Sequence, residues 1–226
     1  MKNIKTSIFI VSLCFLIKPV FSQNINWQNL KTNQKHIAHI ATGWDYGFVY
    51  SLGYSYQLKF KIPLLLQASY SLPSGGQVLD DFKVKLGGQI RFYKINNFQF
   101  SASLYTIYRR FQNPLVRLQN FGNEMSLVAG YYKPRWFIAG ELGFDKAIVT
   151  HFKHSDSFKK FVYTNVQDGW AEPSTGGNFY YGLQAGISFH KSELILKAGL
   201  VSEQSFQQKP LIPYYLQLGY NLRLKR

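Results

Sequence analysis

Apolar and polar residues alternate one by one through run after run of roughly 9–14 residues, and this period of two constrains the fold more than any other feature. In residues 82–93, Phe82, Val84, Leu86, Gly88, Ile90 and Phe92 form one row, while Lys83, Lys85, Gly87, Gln89, Arg91 and Tyr93 form the other. Successive side chains of a β-strand point to opposite faces, so such a run has one apolar and one polar face. Residues 179–190 repeat the arrangement, with Phe179, Leu183, Ile187 and Phe189 against Tyr180, Gln184, Ser188 and His190. Residues 214–225 do so again, setting Leu216, Leu218, Leu222 and Leu224 against Tyr215, Gln217, Asn221 and Arg223.

Ten such runs can be counted, near 36–44, 47–58, 63–72, 81–93, 98–111, 122–132, 136–152, 178–190, 193–204 and 213–225. The first is the least regular, because His36, His39 and Thr42 interrupt its alternation. The connections fall into two classes that take turns along the chain. Lys59–Ile62, Lys94–Asn97, Lys133–Arg135 and Lys191–Ser192 are tight, whereas Pro73–Asp80, Gln112–Phe121, Lys153–Gly177 and Gln204–Ile212 are longer. A first tip at Asp45-Tyr46 is short out of turn. Barrels of the outer membrane have short periplasmic turns and longer extracellular loops. An even strand number then leaves both chain ends on the short-turn side. The predicted fold is all-β: a transmembrane, antiparallel, up-and-down β-barrel of about ten strands over residues 36–226.

The first residues read as an export signal. Lys2 and Lys5 precede an apolar stretch from Ser7 to Ile17, which Lys18 and Pro19 end, and Val20-Phe21-Ser22 suits a peptidase. The stretch is too short for a membrane helix, which needs about 20 apolar residues. Residues 1–22 are expected to be a signal peptide, cut before Gln23, and residues 23–35 a periplasmic N-terminal segment. Cys14, the single cysteine, leaves with the signal, so disulfides and thiolate metal sites are not expected.

The chain carries 26 Lys and Arg against 11 Asp and Glu, a formal net charge of +15, and the signal removes three of the lysines. Export disfavours nucleic acid as the partner of this charge, which leaves anionic membrane surfaces. Lys59, Lys61, Lys94, Lys133, Arg135, Lys191, Lys225 and Arg226 gather at the short turns, and Arg117, Lys153, Lys159, Lys160 and Lys209 in the long loops. Both rims are therefore expected to meet outer-membrane lipid, with phospholipid headgroups inside and glycolipid headgroups outside. Nothing indicates a protein partner or a cofactor.

Period two does not say which row faces inward, and a secreted soluble β-barrel binding an apolar ligand would bury the apolar row. Strand length, aromatics at strand ends (the chain has 19 Phe, 16 Tyr and 4 Trp) and glycine with small polar residues on the other row favour the membrane. In this pattern the chain resembles the small outer-membrane β-barrel proteins of Gram-negative bacteria over essentially all of residues 36–226, without a specific subfamily motif. Such chains commonly end on an aromatic residue, whereas this one ends Leu224-Lys225-Arg226. The resemblance implies residence in the bacterial outer membrane and a porin-like architecture.

The polar row would line the lumen with Lys83, Lys85, Arg91, Arg109, Lys197 and Arg223 against Glu124, Glu141, Asp145 and Glu203. Buried charges need partners, so these are expected to pair across a narrow barrel. Asp80, Asp81, His151, His154 and Asp156 would stand at the extracellular rim, where ten-stranded omptin proteases carry acids and a histidine. The omptin D-x-D and D-x-H spacings are absent, and His151-x-x-His154 points its histidines to opposite faces of a strand. No catalytic or metal-binding residue is assigned. Asn165 to Asn178, rich in turn formers around Trp170, is expected to be an ordered lid or contact surface. The leading expectation is a non-enzymatic barrel with a structural, adhesive or limited-permeation role and a narrow, anion-preferring lumen. The alternative is a barrel enzyme with an extracellular-rim site, an omptin-like protease or lipid hydrolase.

Overall fold

The structure, a computed structural model, describes residues 25–31, 33–45, 47–74, 79–173, 177–206 and 210–224. The expected signal peptide and its cut site lie outside the described residues. Among the described residues eleven strands and one short helix follow in chain order: β1 (His36–Trp44), β2 (Phe48–Leu58), β3 (Leu64–Pro73), β4 (Asp81–Ile95), β5 (Phe98–Gln112), β6 (Val116–Lys133), β7 (Trp136–His154), α1 (Asp156–Phe161), β8 (Gly169–Ala171), β9 (Gly177–Phe189), β10 (Ser192–Glu203) and β11 (Tyr214–Leu224). Each long strand pairs antiparallel with its neighbours, β7 pairs with β9, and β1 pairs with β11, so ten strands close into a ring. The three-residue β8 is an extra strip on the extracellular end of β7.

Leu86, Leu104 and Leu183 stand outside the ring at 57 %, 60 % and 62 % exposure, while Gln89 and Gln184 inside it are each 1 % exposed. The apolar row therefore faces out and the polar row faces in, which overturns the soluble alternative. Two belts of rings bound this apolar surface. The extracellular belt passes from Tyr70 through Phe82, Tyr108 and Phe121 to Trp170, with neighbouring centroids 5.0–6.0 Å apart. The periplasmic belt includes Phe98, Tyr131 and Trp136. Ten residues of β5 separate Phe98 from Tyr108; at about 3.3 Å each and a tilt near 40° they span ~25 Å, the height of an outer-membrane apolar band.

Three features depart from the sequence reading. An extra residue at Phe92 breaks the register between β4 and β5, and it turns Tyr93 outward instead of into the bore. β6 begins at Val116 rather than near 122, so the expected long loop 112–121 is a tight hairpin. There the Asn113 side chain accepts hydrogen bonds from the backbone N–H groups of Leu115 and Val116. Residues 153–173, expected as loop, hold a regular helix and strand, α1 and β8, with the Ser155 hydroxyl capping α1.

Candidate functional site

The bore has two storeys. The periplasmic one is dry. Residues 25–30, expected as a periplasmic segment, sit within the mouth, where Ile25 and Trp27 pack against Ile37, Leu65, Phe137 and Ile195. Polar bonds fix them there. The Asn26 backbone N–H donates to Glu193 Oε1 (3.1 Å), and its amide donates to Lys133 O (2.8 Å) and Ser188 Oγ (3.1 Å). Lys94 and Gln99 both donate to Gln28 Oε1, and Arg223 donates to the Asn29 carbonyl. Arg91 lies over the Trp27 ring at 5.9 Å. Two of the expected lumen charges thus serve to hold this segment.

Above it runs a belt of buried polar side chains from adjacent strands. Ser55 meets His39, His39 meets Asn221 (2.9 Å), and Asn221 donates to Glu193 Oε2 (2.8 Å). A serine here touches a histidine, although the sequence assigns no catalytic residue. This connectivity is that of a nucleophile, base and orienting group. All three residues are fully buried, however, and none lines the cavity above, so no substrate can reach the hydroxyl. The His39 position also explains the irregular first strand: Ile37 and His39 both face inward, one to the apolar packing and one to this belt.

The extracellular storey is polar and charged, around a cavity. Four ion pairs among the described residues cross it: Lys83 with Asp45 (2.6 Å), Lys85 with Glu124, Arg109 with Asp145, and Lys197 with Glu141 (2.8 Å). Each glutamate is also held by a tyrosine, Glu124 by Tyr180 (3.2 Å) and Glu141 by Tyr215 (2.7 Å). Room for these rings comes from the glycines of the polar row. Gly182 and Gly199 oppose each other on β9 and β10, and a Cβ on either would collide with Tyr215. The remaining cavity, about 110 Å³, is lined by these pairs and by serines such as Ser51, Ser69 and Ser103. That volume holds several waters but no open channel.

The expected pairing of lumen charges is thus present for Lys83, Lys85, Arg109, Lys197, Glu124, Glu141 and Asp145. Asp45 was missed because it sits at a loop tip, from which its side chain turns inward. Glu193 was missed because it opens a strand beside a turn. Glu203 stays half-buried at the extracellular end of β10, where it accepts a bond from Ser205.

The rim candidates do not converge. Asp80 lies 3.9 Å from Arg110, and Asp81 opens β4. His151 packs against Trp170, and His154 bonds Asp168 at 2.9 Å. Asp156 is the first residue of α1. β4 and β7 are separated by β5 and β6, so the two acids stand about 14 Å from the histidines by strand spacing alone. No cluster of three potential metal ligands exists among the described residues. Asp168 is held well below the usual carboxylate range, chiefly by the Lys159 ammonium and then by the His154 backbone N–H.

No family profile matches the chain, and no curated protein does. An outer-membrane channel of Pseudomonas putida F1 is similar in fold, with a TM-score of 0.53 at 14% identity over 90% of this chain and 100% of the channel. The outer-membrane enzyme PagL aligns over 83% of this chain and 99% of its own at 13% identity, with a TM-score of 0.38. Identity this low bears on fold alone. A closed ring that turns its leucines outward between two belts of aromatic rings has no stable surface in water, and it shares its fold with a solved channel of that membrane: the chain is an outer-membrane β-barrel protein.

Proposed function

We propose that the protein is a non-enzymatic, normally closed barrel whose polar vestibule opens outward, and that any permeation is narrow and limited by its own N-terminal segment. One observation carries this reading: Ile25 and Trp27 complete an apolar packing that fills the periplasmic mouth. Ten strands leave far less room than the 16–18 strands of water-filled porins, and Tyr105, Tyr180 and Tyr215 occupy part of it. The vestibule pairs balance one another, so selectivity is weak. It leans to anions because Arg91, held by Trp27 and Gln99, forms no ion pair with an acid among the described residues, and Arg223 donates to main-chain carbonyls at the mouth.

Planar-bilayer recording under a salt gradient tests the reading. The intact protein should be nearly silent, whereas Trp27→Ala and a chain lacking residues 24–31 should give small steps with a slight chloride preference. Heat-modifiable migration on gels establishes that both variants are folded. A large, stable, cation-selective conductance from the intact protein overturns the proposal, as do folded variants that remain silent.

A further inference from the structure

Above the extracellular belt of rings, β5, β6 and β7 continue outward as a wall, and its outer face is basic. Residues directly opposite in a ladder share a face. Arg117 of β6 lies opposite Lys153 of β7 and beside Gln112, and Gln119 lies opposite both Arg110 and His151. This face continues the lipid-facing row of Phe121, Met125 and Leu127 on β6. Like charges directly opposite in a sheet repel, so Arg117 facing Lys153 needs a compensating anion. Three polar atoms of the same face, Arg110 Nε, Arg117 Nε and His151 Nδ1, are buried without a hydrogen-bond partner. Among the described residues Asp80, 3.9 Å from Arg110, is the one acid paired with any of these groups, and Asp168 is already engaged by His154 and Lys159.

We propose that Arg110, Arg117, His151 and Lys153 form a binding site for a phosphate group of an outer-leaflet lipid. The terminal N–H groups of a guanidinium donate to two phosphate oxygens at once, and the exposed Lys153 ammonium adds charge. The height of the site favours a lipid over free phosphate. The patch begins one step above the ring of Tyr108, Phe121 and Trp170, and below that ring Leu104, Met125 and Leu127 offer apolar wall to acyl chains. A phosphate tethered to those chains is held at the level of the patch. The site is separate from the lumen and is independent of whether the lumen conducts.

Native mass spectrometry of the purified barrel in detergent, titrated with a bisphosphorylated acylated disaccharide, reads the occupancy. The wild type should retain the lipid, and Arg117→Gln with Lys153→Gln should weaken it about tenfold or more, the loss of charge-assisted bonds to one anion. Lys153→Gln alone, a change at an exposed side chain, should weaken it less and guards against a folding defect in the double variant. Lys59→Gln with Lys61→Gln, at a periplasmic turn, should leave binding unchanged. The proposal fails if the double variant binds like wild type, if the dephosphorylated lipid binds equally, or if the Lys59 and Lys61 control loses as much. Displacement of the lipid by an equal concentration of inorganic phosphate would overturn the assignment to a lipid.

Discussion

The two storeys of the bore are built on the same strands by opposite means. The periplasmic storey excludes water: Trp27, Phe137 and Ile195 pack as in a soluble core, and each polar group of Asn26 has a partner. The extracellular storey admits water and holds its charges in pairs. A barrel this narrow can fill its bore with side chains or brace it with ions. Here it fills the end that its N-terminal segment can reach and braces the other. Removing atoms should therefore be costly below, and exchanging charges should be tolerable above.

Phe137→Ala should show the largest effect, about 3–5 kcal/mol lost from unfolding in urea, because an unrelaxed cavity replaces a packed ring. A loss below ~1 kcal/mol would show that the lower storey is as wet as the upper. The next contrast is across the wall. Leu86→Arg should cost about 2–4 kcal/mol on the lipid face, while Ser69→Asn, beside the vestibule cavity, should cost less than ~1. Equal losses would erase the difference between wall and vestibule. A smaller effect is expected within the vestibule, where Lys85→Met should cost about 1–2 kcal/mol by leaving Glu124 without its cation. Adding Glu124→Gln should recover part of that loss, and a purely additive double variant would show that the two side chains do not interact.

The smallest effect belongs outside both storeys. Asp168 has a depressed pKa, so the bond that it contributes is present above the unfolded value near 3.9 and is lost only as pH falls through the lower folded value. Limited proteolysis between α1 and β8 should therefore stay slow from pH 7 down to about 4 and quicken only in stronger acid. Asp168→Asn should be cut faster across that whole range. Unchanged cleavage of that variant would remove Asp168 from the account of this loop.

Legibility in the sequence followed the surroundings. Where a strand has lipid on one side and the bore on the other, as in β9, β11 and β4 as far as Arg91, the alternation set the faces correctly. Where that contrast ends, the signal ends too. Above the membrane the phase of the pattern reverses: at the start of β6 Val116 and Leu118 are apolar on the bore side, whereas Arg117 and Gln119 are polar on the side where Phe121 and Met125 stand lower down, so the lower alternation does not extend into this stretch. The pairing of the lumen charges followed from the cost of burying them, but the identity of partners such as Asp45 depended on the path of a loop. The docking of Asn26 was invisible, because its partners lie 107 to 167 residues away and residues 25–30 have no period of their own.

That separation along the chain fixes an order of assembly. Glu193 and Ser188, which hold Asn26, lie on the β9–β10 hairpin, and Arg223, which holds Asn29, belongs to the last strand. Glu193 and Ser188 face each other within that hairpin, whereas Arg223 reaches its place beside β1 only when β11 pairs with β1 and the ring is shut. The first residues of the barrel's own chain are thus among the last to find their place. Bonded both to the β9–β10 hairpin and to the closing strand, the segment ties the two sides of the last seam, so its full set of contacts exists only in a shut ring.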